Sequence, residues 1–131
     1  MVNRRNLIWG AATGAGAMAV MSSGTVNAAT EPTMSLNVIY PNHDGARFDT
    51  NYYRSTHIPL AMKVMKADSV MLIEGVPNGS AASPYAMIAH FKFASSEAMK
   101  TALANPAMAE VRADVAKVTD IKPTIMLGKS L

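Results

Sequence analysis

The chain has 131 residues, half of them hydrophobic, with twelve Lys and Arg against nine Asp and Glu and no cysteine. That length reads as one domain, and the missing thiols exclude disulfides, thiolate metal sites and cysteine nucleophiles. Much of the formal net charge of +3 comes from Arg4 and Arg5 near the start of the chain, and the near-neutral remainder gives no argument for a nucleic-acid or membrane-surface partner.

Residues 1–28 read as an export signal. Asn3-Arg4-Arg5-Asn6-Leu7-Ile8 sets paired arginines ahead of a weakly apolar, Gly/Ala-rich run that reaches Val20. Val26-Asn27-Ala28 then ends in the small residues that signal peptidase requires. Adjacent arginines before a run of low hydrophobicity resemble a twin-arginine signal; an ordinary Sec signal or a retained anchor is the alternative. The run is glycine-broken and shorter than the about 20 apolar residues of a membrane span. The expectation is a periplasmic or secreted protein with no stable membrane insertion after cleavage. Cleavage also removes Arg4 and Arg5, leaving ten basic against nine acidic residues and eight methionines. A chain this short makes a marginal core by itself, so a homodimer that buries a second face is expected.

Residues 29–34 read as a short polar leader, and the folded domain as 35–131. Ser35 to Tyr40 alternates Leu36, Val38 and Tyr40 against Asn37 and Ile39, a first strand. Pro41-Asn42-His43-Asp44-Gly45 is a turn. Asp49 is suited to capping a helix, because its carboxylate can accept from the free N–H groups of the first turn. Tyr53 and His57, four residues apart, share one face of that helix. Pro59 lacks an N–H and disfavours a helical Ile58, so the helix is expected to kink or restart just after His57. The second segment then begins at Pro59 and runs to about Met65. His57 would lie near a helix C-terminus, which favours its cation, while burial favours the neutral ring.

Ser69 to Val76 is a β-branched, apolar run that reads as a second strand, and Pro77 through Pro84 is a loop. Tyr85 to Phe93 is a third strand, with Tyr85, Met87, Ala89, Phe91 and Phe93 on one face and Ala86, Ile88, His90 and Lys92 on the other. Ser95 or Ser96 caps a second helix that Asn105-Pro106 interrupts. Met108, Val111, Val115 and Val118 mark the buried stripe of its continuation. Ile121 to Leu127 reads as the last strand. The order is β-α-β-β-α-β, the split βαβ of ferredoxin-like α+β folds, with both helices on one face of a four-stranded antiparallel sheet. The other face carries too many apolar side chains to be left in water.

Phe48-Asp49, Tyr52-Tyr53 and His57-Ile58-Pro59-Leu60 on one short helix resemble the EthD family, named for ether degradation. The resemblance extends from about Ser35 to the C-terminus, including Ala-Leu-Ala-Asn-Pro at 102–106 and Ala-Asp-Val…Thr-Asp at 113–120. It implies the dimeric α+β barrel, in which two ferredoxin-like subunits face each other, and a small hydrophobic substrate in a cavity between sheet and helices. Val118 departs from the family, which has an aromatic residue there, and that bears on the cavity wall rather than on the fold.

His57 is the leading candidate for an acid/base, since the ordinary pKa of imidazole lies near neutrality. The other reading is that it only bonds a carbonyl freed by the break at Pro59. Tyr53 is the candidate to orient His57 or share its proton. Tyr52, Tyr40, Leu60 and His90 are the candidates to line the cavity, with core packing the alternative for each. His43, in a surface turn, reads as solvated. The spacing of His43, His57 and His90 matches no ligand motif, so no metal is assigned. No phosphate loop, nucleophile elbow or paired carboxylates are present, and no cofactor is assigned. The reading is therefore an exported oxidoreductase of the EthD type, with cofactor-free monooxygenase, cyclase or isomerase chemistry also open. A non-catalytic carrier for a hydrophobic compound and a haem- or metal-dependent protein are the alternatives, because fold does not settle the reaction.

Overall fold

The computed structural model describes residues 32–131, so residues 1–28 and the signal read from them lie outside the described part. The elements are β1 (Met34–Pro41), α1 (Thr50–Tyr52), a π-helical stretch (Tyr53–His57), α2 (Ile58–Met65), β2 (Ser69–Glu74), β3 (Tyr85–Phe93), α3 (Ser96–Ala104), α4 (Met108–Val118) and β4 (Thr124–Lys129). The four strands form one sheet in the order β2-β3-β1-β4, every neighbouring pair antiparallel. This is the ferredoxin-like α+β fold that the element order predicted, the subunit fold of dimeric α+β barrels.

Register decides which side chains meet. Leu36 pairs with Phe91 and Val38 with Ala89 across the centre of the sheet. Together with Tyr40, Met87 and Phe93 they face the helices, where Ile58, Ala61, Met65, Met99, Val111 and Val118 complete the core. On the opposite face, Met71, His90, Asn37 and Met126 stand in one row across all four strands. Met71 is 60% exposed, Ile73 46% and Met126 53%, an apolar surface open to solvent in the single chain.

The helix after the first turn begins as expected. Asp49 accepts from the Tyr52 N–H at 3.0 Å. The α-helix restarts at Ile58 with Pro59 in its first turn, as expected, after a widened π-helical stretch closed by the Ile58 N–H on the Tyr53 carbonyl. The shift falls just ahead of Pro59, whose missing N–H could not have closed an α-turn there. The helix then continues to Met65 and ends at Lys66, in the left-handed conformation with φ 54°. His57 is therefore not at a helix C-terminus.

Two strand boundaries also differ from expectation. β2 stops at Glu74 and not Val76; the Gly75 N–H still bonds the Ala86 carbonyl of β3, and the loop follows. The last strand begins at Thr124 and not Ile121. Ile121 is drawn into the core instead, its N–H bonded to Thr119 Oγ1, and Pro123 cannot donate to a ladder. At the N-terminal edge β1 takes in Met34, and Thr33 is tied to Ser130 through the Thr33 N–H and the Thr33 carbonyl.

Candidate functional site

The turn that precedes α1 is bound to the end of α4. The Arg47 guanidinium donates to the carbonyls of Ala116 and Val118 at 3.3 and 3.2 Å, and the Asp49 N–H donates to Val118 O at 2.8 Å. A cation here also meets the negative end of the α4 dipole. These contacts bring the face of α4 one turn before its C-terminus against the π-helical stretch. Asp114 and His57 occupy the two sides of that contact.

His57 Nδ1 lies 2.9 Å from Asp114 Oδ2, with the His57 side chain 5% exposed and that of Asp114 9%. The other carboxylate oxygen accepts from the Tyr52 hydroxyl at 2.8 Å. Lys117 Nζ stands 3.9 Å from the same oxygen, one turn along the helix. Burial by itself would raise the Asp114 carboxyl; the hydrogen bonds from His57 and Tyr52, with the charges of His57 and Lys117, outweigh it and hold the group below its ordinary value. The Tyr52 hydroxyl moves the other way, raised by its bond to Asp114, then by burial and by the carboxylate charge. An ionised carboxylate only accepts, so the hydrogen sits on Nδ1 whenever the imidazole is neutral. That leaves Nε2 with a lone pair and no partner among the described residues.

The His57 ring lies on the wall of a cavity of about 440 Å³ between the sheet and the helices. Leu36 and Val38 of β1, Ala61 and Met65 of α2, and Met108 and Val111 of α4 form much of the remaining wall, which is predominantly apolar. Tyr53 is stacked on His57, with ring centroids 5.2 Å apart and planes 14° from parallel. It meets Tyr40 and Phe48 edge-on, at 5.8 and 5.0 Å. Both Tyr40 and Tyr53 are 1% exposed. Burial raises the Tyr53 phenol far above its usual value, and the neighbouring Tyr40 phenol adds to the effect. Burial raises Tyr40 as well, partly offset by the bond from Tyr53. Both remain protonated donors at any physiological pH.

The residues read from sequence thus divide into two groups. His57, Tyr53 and Tyr40 converge on the cavity wall. Tyr52 lies behind His57 and reaches Asp114, and Leu60 packs against the core without lining the cavity. His90 is on the opposite face of the sheet, where Nδ1 meets Asn37 Oδ1 at 2.7 Å. Val118 is fully buried in the core and is not part of the wall. His43 is exposed, and among the described residues no three His, Cys, Asp or Glu side chains group as a metal site would require. Instead of a backbone carbonyl, His57 bonds a carboxylate that the sequence reading had not considered. Its one signal was position, since Asp114 falls three residues after Val111 and four before Val118 on the buried stripe.

The sequence model of the EthD domain matches residues 45–122, which include Tyr52, Tyr53, His57 and Asp114. The chain belongs to the EthD family. Among solved structures, an EthD-like protein from Ralstonia eutropha JMP134 is similar over 75% of this chain and 91% of its own, with 26% identity and a TM-score of 0.69. An EthD family protein from Bacillus halodurans C-125 is similar over 76% and 99%, with 17% identity and a TM-score of 0.58. A protein from Arabidopsis thaliana shares the fold over 77% and 89%, at 17% identity and a TM-score of 0.54. No curated protein matches the chain. The EthD domain of this chain therefore carries a buried His–Asp pair whose histidine lines an apolar cavity.

Proposed function

We propose that this EthD protein is an enzyme acting on a small hydrophobic organic compound bound in the cavity, with His57 as acid/base and an oxidoreductase as the leading class. The observation that carries the reading is the His57–Asp114 pair beside an apolar cavity, Nδ1 held by the carboxylate and Nε2 unpartnered. A bound compound with an acidic C–H or O–H beside Nε2 gives up its proton to the lone pair there. The resulting imidazolium is stabilised by Asp114, as in other sites where a buried carboxylate orients a histidine. Tyr40, held as a phenol and accepting from Tyr53, is placed to donate a hydrogen bond to an oxygen on which charge develops. The same first step serves cyclisation and isomerisation. For an oxidation, molecular oxygen or another acceptor must take up the electrons of the carbanion or enolate.

Two further elements belong to the proposal. The open sheet face, with Met71, Ile73 and Met126 at its surface, suits a face-to-face homodimer. Export to the periplasm or beyond rests on residues 1–28, by the twin-arginine or the Sec route.

Native mass spectrometry of the protein isolated from its own exported fraction tests the reading. The expected result is a dimer carrying a small organic mass, and a compound so identified should be turned over by the wild type and not by a folded His57→Ala variant. Equal turnover by the variant overturns the catalytic role. Retention of the compound without turnover by the wild type favours the carrier reading.

A further inference from the structure

The cavity wall is apolar at its buried end and cationic where it meets solvent. Arg112 of α4 and Lys122 of the segment before β4 both line it, and both are exposed, whereas His57 is 4% exposed. Neither cation pairs with an acid among the described residues, and the wall contains no Asp or Glu. Arg112 flanks the buried stripe of Val111 and Val115 and so stands beside the apolar wall, not on the far side of the helix. Lys122 is held nearby because Ile121 is anchored in the core and Pro123 and Ile125 continue the wall.

We propose that the ligand of this cavity is an anionic amphiphile, an apolar body of about the size of a medium-chain acid or an alkylated aromatic acid. Its carboxylate sits at Arg112 and Lys122, and its apolar end reaches His57. The proposal rests on the reading of the cavity as a ligand site. Charge-assisted hydrogen bonds from a guanidinium and an ammonium would fix the direction in which the ligand enters and select it against uncharged compounds of the same shape. The opposite orientation would bury a carboxylate among Leu36, Met65 and Phe91, with Asp114 close behind His57. The aliphatic stems of both side chains also contact apolar surface, and the test must separate stem from charge.

Octanoate and octan-1-ol have the same chain and differ in the charged group. Their binding to the purified protein at neutral pH and low salt, measured by isothermal titration calorimetry, should show octanoate at least about tenfold tighter. The gap should narrow as salt is raised. It should fall to about threefold or less in the double variant Arg112→Met/Lys122→Met, which keeps the stems and removes the charges, with an unchanged circular dichroism spectrum. Equal affinity for both probes in the wild type, or a preference that survives in the double variant, overturns the anionic-ligand assignment and leaves the cavity reading standing. Failure of both probes to bind at millimolar concentration overturns both.

Discussion

The carboxylate of Asp114 lies 2.9 Å from Nδ1 of His57, across 57 residues of sequence and between two different helices. Because Oδ1 of the same carboxylate takes the Tyr52 hydroxyl, one buried acid holds a residue at each end of the π-helical stretch. Asp114 thus ties Tyr52 and the cavity-lining His57 to α4.

Removing the acceptor should be costly for the fold. Asp114→Ala leaves the His57 N–H and the Tyr52 hydroxyl without their acceptor in a dry contact. A loss of about 1–3 kcal/mol is expected in urea unfolding, read as a lower midpoint at unchanged slope. Asp114→Asn keeps the shape but offers an amide that can donate to Nδ1 and reverse the tautomer. Its expected effect is catalytic: turnover falls about 10²- to 10⁴-fold while the fold survives.

Acid should find the same contact. The Asp114 carboxyl is lowered in the folded protein, so its contribution to stability is complete above the ordinary aspartate value of about 3.9. It is lost as the pH falls through the lower folded value. The Asp114 contribution to the difference in urea midpoint between the wild type and Asp114→Asn should therefore disappear only in that acid range. A difference that vanishes above the ordinary aspartate value contradicts the assignment.

Tyr53 separates packing from chemistry. Tyr53→Ala empties a fully buried site beneath Tyr40, Phe48 and His57, at a cost of about 3–5 kcal/mol by analogy with other buried aromatics. Tyr53→Phe keeps the ring stack and removes only the donor. Since the phenol stays protonated, the variant should lower the rate by a constant factor at every pH, and the wild-type pH profile should show no alkaline limb from this group.

The strand alternation of Leu36, Val38 and Tyr40, and of Met87, Ala89 and Phe91, was legible because a sheet with one buried face imposes period two. The disturbance ahead of Pro59 was legible from the missing N–H, though its form, a π-helical stretch that keeps the helix running, was not. Asp114 escaped because a carboxylate beside Val115 reads as the solvent side of an amphipathic helix until its partner is known. That partner comes from another element, and the Arg47 and Asp49 contacts to the end of α4 help to bring the two together. His90 shows the converse. Its alternation with Ile88 is readable, but which face of the sheet holds the cavity is decided by where the helices pack.

The open sheet face gives a prediction about assembly. Glutamates at Met71 and Ile73 would place charge on an apolar surface that the proposed dimer buries, and leave the cavity residues on the other side untouched. Sedimentation velocity should show a dimer for the wild type and a folded monomer for Met71→Glu/Ile73→Glu.

The most direct test is the state of the His57 ring, read by NMR of protein labelled with ¹⁵N-histidine and assigned with His57→Gln. The neutral ring should carry its proton on Nδ1, and the Nε2 resonance should shift when octan-1-ol is added. The tautomer should be lost in Asp114→Asn. A neutral ring protonated at Nε2, or an Nε2 resonance indifferent to a cavity ligand, would contradict the claim that Asp114 turns His57 into the reactive group of this site.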